Sequence, residues 1–414
     1  GSKNVGIGAS ALVSNTTASY NTAIGFHALR SNSTAAENTA VGYNALLTTS
    51  TGNKNVAFGA NALKLSTASN CAAFGSDALP ANSTGTSNTG IGRKALASNT
   101  TGSKNTSVGA YSLDANTTAD ECTGVGYDAL SANTTGWENT AVGSRAAESI
   151  TTGGENVAVG RYCLANLTTA NNNTAVGKSA LKTSTTGHDN TAIGRECLSS
   201  STTASNNVGV GASALYSNTT GGDNVAIGFA AGKSQTDSKS VYVGWSAGVD
   251  HNYSSATIVG YAAGYSATTA NNFTAIGRGA GYFLTTGNDN TFIGARCFQA
   301  ATTAGTCTGV GFRAAYNATT GDNNAIYGYE SGYAMTTGSE NTFIGTYAGR
   351  DLATGINNTC IGYRAGDDHI GSDHNNQLYI TRNNSGAGND ACWIYGDDTG
   401  ACTQGNNSST WSTT

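Results

Sequence analysis

A short phrase of alternating side chains recurs at a fixed spacing along most of the chain. It reads Asn-Thr-Ala-Val-Gly at residues 38–42, 139–143 and 173–177. Numbered from the closing glycine, position −1 is Val, Ile, Phe or Tyr, position −2 is mostly Ala or Gly, position −3 is Thr, Val or Ala, and position −4 is Asn in 16 repeats. Residues of this kind two apart are typical of a short β-strand, because alternate side chains leave on the same face. The glycine indicates the bend that ends the strand.

The closing glycine, which we call the anchor, sets the period of the array. It occurs 22 times, and successive anchors are 17 residues apart except for three steps of 16. A short constant period predicts a solenoid, in which each repeat is one coil that buries its apolar side against the next coil. We therefore predict an all-β fold, a parallel β-solenoid (β-roll) of about 22 coils.

The array changes character along its length and then stops. Position +4 is Leu in 12 coils, but from Gly232 onwards it is Gly in seven coils. We expect aromatic rings such as Tyr265, or larger residues at −2, to replace the lost leucine volume. The sequence thus predicts a repeat array over residues 1–366, with a shift in character near residue 228. Residues 367–414 leave the period and predict a short cap or junction with strands at 377–381 and 392–396.

Neither face of the predicted strand carries charge, and this observation bears on assembly. One face carries Thr, Val and Ile, and we expect Val142 on this face to pack inside the coil. The other face carries Asn, Ala and Gly, and a thin coil cannot cover both faces. The simplest second cover over Ala141 is another copy of the chain, so we predict a homotrimeric fibre. We also expect the Asn side chains at −4 to form a hydrogen-bonded ladder from coil to coil.

Composition excludes several classes of partner. Only 11% of the residues are charged and the net charge is −5, so there is no basic stripe for nucleic acid. No apolar run is long enough to cross a bilayer, so we predict no membrane insertion. The opening residues 1–4 repeat the sequence of residues 102–105, so the chain begins in phase with the array. We expect it to be a piece of a longer protein or a cleaved product.

The sequence contains few groups suited to catalysis or metal binding. No Ser-His-Asp set or pair of carboxylates recurs on one face, so we predict no enzyme and no cofactor. The carboxylates and imidazoles cluster once, at the end of the array, where a solvated loop is the simpler interpretation and a metal site the alternative. The candidate metal ligands are Asp367, Asp368, His369, Asp373 and His374.

Cysteine and asparagine patterns give two further candidates. Seven of the nine cysteines occupy small-residue positions of the repeat and none forms a CxxC pair, so we interpret them as buried filler rather than a zinc site. Cys392 and Cys402 are the candidate disulfide. Asn-x-Ser/Thr sequons recur after the anchor, either as glycan acceptors on one ridge or, more simply, as turns rich in Asn and Thr. These sequons begin at Asn15, Asn32, Asn82, Asn99, Asn116, Asn133, Asn166, Asn218 and Asn317.

The segment Thr-Ala-Val-Gly-Tyr-Asn-Ala-Leu at residues 39–46 resembles the repeats of trimeric autotransporter adhesin heads. It is also similar to the repetitive shafts of tail-fibre proteins from phages and other aquatic viruses. The resemblance covers residues 1–366, although the period of 17 is longer than that of the adhesins. Residues 376–380 resemble the strand that often precedes a self-cleaving trimerisation chaperone. The resemblance implies a left-handed parallel β-roll in a homotrimer that works in attachment.

Together these observations predict a non-enzymatic structural shaft of an extracellular or virion fibre that serves attachment or adhesion. Its partners are copies of itself, as a homotrimer and by end-to-end association, with a cell-surface glycan or receptor as a further candidate. The alternative function is an ice- or glycan-binding β-solenoid, because threonine ladders on a flat face could order water or stack sugars.

Overall fold

The computed structural model describes residues 1–367 and 373–381, and the backbone of the strand segments 392–396, 402–404 and 410–411. Within this part of the chain the regular elements are β-strands, and no residue lies in an α-helix. The chain divides into two compact units, residues 1–207 and residues 208–414.

In the first unit, each of the first eleven strands pairs in parallel with the next strand along the chain. For example, Ala141 lies opposite Ala158, one repeat later. The strands are β1 Val5–Ile7, β2 Thr22–Ile24, β3 Thr39–Val41, β4 Val56–Phe58, β5 Ala72–Phe74, β6 Thr89–Ile91, β7 Thr106–Val108, β8 Thr123–Val125, β9 Thr140–Val142, β10 Val157–Val159, β11 Thr174–Val176 and β12 Thr191–Ile193.

In the second unit, parallel pairing continues from β13 to β23, and β23 to β26 then pair antiparallel. The strands are β13 Val208–Val210, β14 Val225–Ile227, β15 Val241–Val243, β16 Thr257–Val259, β17 Thr274–Ile276, β18 Thr291–Ile293, β19 Thr308–Val310, β20 Ala325–Tyr327, β21 Thr342–Ile344, β22 Thr359–Ile361, β23 Leu378–Thr381, β24 Cys392–Gly396, β25 Cys402–Gln404 and β26 Thr410–Trp411. The predicted parallel β-solenoid is confirmed, with one three-residue strand before each of the 22 anchors.

The two strand faces lie opposite to the predicted arrangement. Ala141 is fully buried, whereas Val142 is 37% exposed and Thr140 is partly exposed. The same pattern holds along the array: side chains at −2 and −4 point into the coil, and those at −3 and −1 point out. Our assignment of Val142 to the interior and of Ala141 to a covered outer strip was therefore wrong. In the early coils the buried leucine at +4 takes up the interior, which leaves room for only a small residue at −2.

Each coil turns at four residues with positive φ. In the ninth coil these are Glu138 (φ 53°), the anchor Gly143 (φ 138°), Arg145 (φ 56°) and Ala147 (φ 52°). The positive φ favours glycine at the anchor, and the distance to the next coil requires it. A Cβ on Gly143 would lie 2.7 Å from the carbonyl carbon of Gly160 in the next coil, so only glycine allows the coils to stack this closely.

The predicted asparagine ladder at −4 is confirmed. The backbone N–H of Asn156 donates to Oδ1 of Asn139 over 3.0 Å. Nδ2 of Asn139 donates to the carbonyl of Gly153 over 2.7 Å. Each buried amide thus satisfies backbone groups of the loop and of the next coil, which a buried polar group must do to be tolerated.

A second buried ladder, which we did not predict, runs along position +7. Nδ2 of Asn116 donates to Oδ1 of Asn99 over 2.8 Å, and Nδ2 of Asn133 donates to the carbonyl of Gly136 over 2.9 Å. The sequence does indicate that position +7 lies in the interior. Position +7 is Ile150 in the ninth coil and Leu167 in the tenth, and a position that accepts large aliphatic residues is typical of an interior.

Candidate interaction surface

Within each unit the outward side chains of the strands form a surface, which we call the outer strip and define as positions −3 and −1 of every coil. None of the residues at these positions is charged. Many of the −1 side chains are large, apolar and more than one third exposed, although they sit on regular strands. These are Ile7, Ile24, Phe58, Phe74, Ile91, Val142, Ile193, Ile227, Ile276, Tyr327 and Ile344. Soluble monomers rarely expose an apolar surface of this extent.

The outer strip is regular because the strands pair without a shift in register. Thr174 lies opposite Thr191 at −3, and Val176 lies opposite Ile193 at −1. The strand backbone bonds to the neighbouring coils above and below, so the strip meets its surroundings through side chains alone. It therefore presents one row of mostly threonine and valine beside one row of valine, isoleucine and aromatic residues.

Stacked aromatic rings at +1 flank the outer strip in several coils. The ring centroids of Phe229 and Trp245 lie 5.9 Å apart with 17° between the planes. Those of Trp245 and Tyr261 lie 4.9 Å apart with 10° between the planes. Phe26 and Tyr43 stack in the same way in the first unit, at 5.8 Å. These rings extend the apolar surface beyond the anchor glycine.

Charged side chains lie at other corners of the coil. Nζ of Lys104 lies 2.6 Å from Oε1 of Glu121, both at position −5 of their coils. Arg313 pairs with Glu330 over 3.2 Å, both at position +2. The charges therefore run in rows of their own and leave the outer strip neutral.

The candidate metal ligands do not come together in the described residues. Asp367 is buried and pairs with Arg364, while Asp373 and His374 are exposed. Asp368 and His369 lie outside the described residues. Within the part that the structure describes, no group of three His, Cys, Asp or Glu side chains is placed to hold a metal ion.

The seven cysteines of the repeat array are buried, as the small-filler interpretation predicts. Burial raises the pKa of Cys122 to about 11 and the pKa of both Cys163 and Cys197 to about 12, so these thiols stay protonated. In the candidate disulfide, Cys402 pairs along the backbone with Gly396, and Cys392 pairs with Thr381. The side chains of these two cysteines lie outside the described residues.

Most of the sequon asparagines are interior residues. Asn15 and Asn317 are partly buried, and Asn166 is the exposed member of the set. An amide that is enclosed in the coil and bonded to a carbonyl cannot reach a transferase while the coil is folded. The fully buried members are Asn32, Asn82, Asn99, Asn116, Asn133 and Asn218.

Two further findings bear on the identity of the chain. The described residues contain no helix of the length and hydrophobicity needed to span a membrane. No model of a known protein family matches the chain, and no curated protein matches it.

Proposed function

We propose that this chain is a non-enzymatic structural shaft of an extracellular or virion fibre that serves attachment, and that its working unit is a homotrimer. The observation that carries the proposal is the outer strip, which is uncharged in all 22 coils and exposes an apolar side chain at −1 in coil after coil. Three copies that turn their outer strips toward a common axis would remove these side chains from water.

The regular spacing of side chains along the outer strip favours a second copy of the same chain as the partner. Parallel strands lie about 4.8 Å apart, so the strip repeats at this spacing. A partner that contacts every coil must have the same rise per repeat, and an identical solenoid has it. Full burial of a Val or Ile side chain contributes about 1.5–3 kcal/mol, so even partial burial adds up over many coils.

The number of copies and the biological setting rest on the resemblance to trimeric fibres. Residues 39–46 resemble adhesin heads and tail-fibre shafts, which work as trimers at a cell or virion surface. In this proposal the array supplies length and stiffness. A cell-surface glycan or receptor is the proposed target of the fibre, and end-to-end association of trimers would extend it.

Size-exclusion chromatography with light scattering tests the proposed assembly. We expect a particle of three times the chain mass of 41.6 kDa. A particle of 41.6 kDa would reject the trimer, and one of twice that mass would replace it with a dimer.

A matched pair of variants locates the interface. The triple variant Val142→Arg, Val159→Arg and Val176→Arg places charge in the outer strip of three successive coils. We expect it to be monomeric with an unchanged far-ultraviolet circular dichroism spectrum. The control Thr135→Arg, Thr152→Arg and Thr169→Arg changes exposed loop residues of the same stretch and should stay trimeric. A strip variant that remains trimeric would show that the contact lies elsewhere.

An ice-binding solenoid is the second candidate, and one observation favours it. Position +8 threonines bond to the chain itself, as Thr117 Oγ1 donates to the carbonyl of Thr134 over 3.0 Å. Position +9 carries a second row of threonines that are exposed, including Thr101, Thr118, Thr135, Thr152, Thr169 and Thr186. A thermal-hysteresis measurement separates the two functions, because a plain shaft should show no activity.

A further inference from the structure

One coil of the second unit lacks a side chain that all the others have. Position +2 is Gly279 in this coil and a residue other than glycine in the remaining 21 coils. A cavity of about 150 Å³ opens at this point, lined by Tyr261, Ala262, Arg278, Gly279, Tyr282, Arg296 and Gln299. The +2 side chain that is missing at Gly279 leaves this part of the row unfilled.

Two arginines at this cavity have no acidic partner among the residues that the structure describes. The backbone N–H of Arg296 donates to the carbonyl of Arg278 over 2.8 Å, so the two residues lie side by side. Among the described residues, neither forms an ion pair, whereas Arg313 in the following coil pairs with Glu330. Guanidinium groups with unused N–H donors favour an anion, and their planar fork suits a carboxylate.

The walls of the cavity are aromatic and fixed by stacking. Tyr261 stacks on Trp245 with ring centroids 4.9 Å apart, and Tyr282 stacks on Tyr265 at 5.0 Å with 4° between the planes. Tyr261 is also 56% exposed, so part of its ring remains uncovered. The face of an aromatic ring is electron-rich, and it suits the weakly positive C–H groups of a sugar ring.

Gln299 supplies a polar group that is still without a partner. Its Oε1 atom is buried and accepts no hydrogen bond from the described residues. Its Nε2 atom lies 3.9 Å from the place that a Cβ on Gly279 would occupy, so the amide borders the empty +2 position. The Nε2–H groups at this border can donate to a hydroxyl oxygen of a ligand in the cavity.

We propose that this cavity binds one carboxylate-bearing sugar residue of an acidic polysaccharide. The carboxylate lies between Arg278 and Arg296, the sugar ring lies against a tyrosine, and Nε2 of Gln299 donates to a hydroxyl oxygen. The volume is below the roughly 300–1,000 Å³ of pockets for drug-sized ligands, so it holds a single residue. The site is built from positions +1, +2 and +5 of one chain and does not depend on the proposed trimer.

Isothermal titration of the full chain with oligogalacturonate tests the proposal, with a neutral oligosaccharide and a sulfated one as comparison ligands. We expect binding of the uronate and no measurable binding of the neutral sugar. Arg278→Gln and Arg296→Gln should each raise Kd about tenfold, as expected when one charge-assisted contact is lost. The control Arg195→Gln changes an arginine that sits at +1 beside its own partner Glu196, and it should leave Kd unchanged.

Filling the cavity gives an independent test. Gly279 has φ +64°, and the equivalent Asn44 and Asn61 have φ 57°, so Gly279→Asn should fold normally and abolish binding. Absence of uronate binding would overturn the proposal. So would equal binding of the neutral or the sulfated sugar, or an equal loss in Arg195→Gln. If Gly279→Asn lowers the melting temperature, the two arginine variants decide the outcome.

Discussion

The early and late coils fill the same kind of interior in two different ways. Up to Leu215, a small residue at −2 is combined with leucine at +4, with Ala147 as the one exception at +4. From Gly232 onwards, glycine is frequent at +4, and position −2 carries a much larger, fully buried residue in five coils. These larger residues are Tyr242, Ile258, Phe292, Ile326 and Phe343.

In the coil of Phe343 the two solutions compete for the same space. A Cβ added to Gly349 would lie 2.7 Å from the ring of Phe343 in the same coil. A Cβ added to Gly332, one coil earlier, would lie 3.2 Å from that ring. The ring therefore occupies the volume that leucine occupies in the early coils. The rings at +5, such as Tyr265, do not replace this volume, because they are only partly buried.

The early and late coils also differ in the backbone strain at position +4. Position +4 has positive φ, 53° at Leu130 and 51° at Leu164, in a region that costs a non-glycine residue about 1–2 kcal/mol. Burial of the leucine contributes about 1.5–3 kcal/mol, which offsets that strain. The late coils avoid the strain with glycine and recover the buried area through the residue at −2.

Replacing Gly349 or Phe343 with the residue type of the early coils should have the largest effect on the stability of the second unit. Gly349→Leu should destabilise the second unit by about 3 kcal/mol, because it overpacks the interior against Phe343. Phe343→Ala should cost about 3–5 kcal/mol by leaving a cavity. The double variant restores the early-coil pair and should cost clearly less than the two changes added together. Thermal unfolding of the four proteins measures the coupling, and strictly additive losses would contradict the exchange of volume.

The buried polar row at +7 of the first unit should give the next largest effect. Asn133→Asp replaces the amide that donates to Gly136 with a buried carboxylate, and we expect a loss of about 2 kcal/mol or more. Thr135→Asp, on the exposed position two residues later, is the control and should change the melting temperature little. The late coils use Leu284 and Leu352 at +7 instead. If the two variants melted alike, Asn133 could not be part of the interior.

The smallest expected effect on stability is a pH dependence that comes from His251, a polar +7 residue among the late coils. Its Nδ1 accepts a hydrogen bond from the hydroxyl of Tyr242 over 2.7 Å, and its Nε2–H donates to the carbonyl of Ala270 over 2.9 Å. Burial lowers the pKa of His251 below its usual 6.5, against the opposing influence of the Ala270 carbonyl and the charge of Asp237. Both ring nitrogens are therefore engaged in the neutral form.

The lowered pKa fixes the direction of the pH dependence. Below pH 6.5 the unfolded chain binds the proton first, so this contribution to stability is complete above 6.5 and declines as the pH falls. The decline is at most about 1.4 kcal/mol per pH unit. We expect the melting temperature to fall between pH 7 and pH 5, and to fall less in Tyr242→Phe/His251→Leu. An unchanged slope in the double variant would assign the pH dependence to other groups.

The sequence by itself determined the architecture and the position of every coil. A phrase that returns every 17 residues places equivalent strands at equivalent points, and identical coils stack in register because each satisfies the backbone of the next. The ladder through Asn139 and Asn156 follows from the same superposition. For this reason the strands, their parallel order and the buried cysteines could all be predicted without coordinates.

Only the tertiary structure decided which face of the strand is inside. Thr140, Ala141 and Val142 are all uncharged, so the alternation defines two faces without assigning either to water. Closure of the coil made the choice, because an interior already occupied by leucine at +4 accepts the small −2 residue and leaves the branched residues outside. The cavity at Gly279 likewise needed the coordinates, since it is formed by residues from three successive coils that become neighbours only when the coils stack.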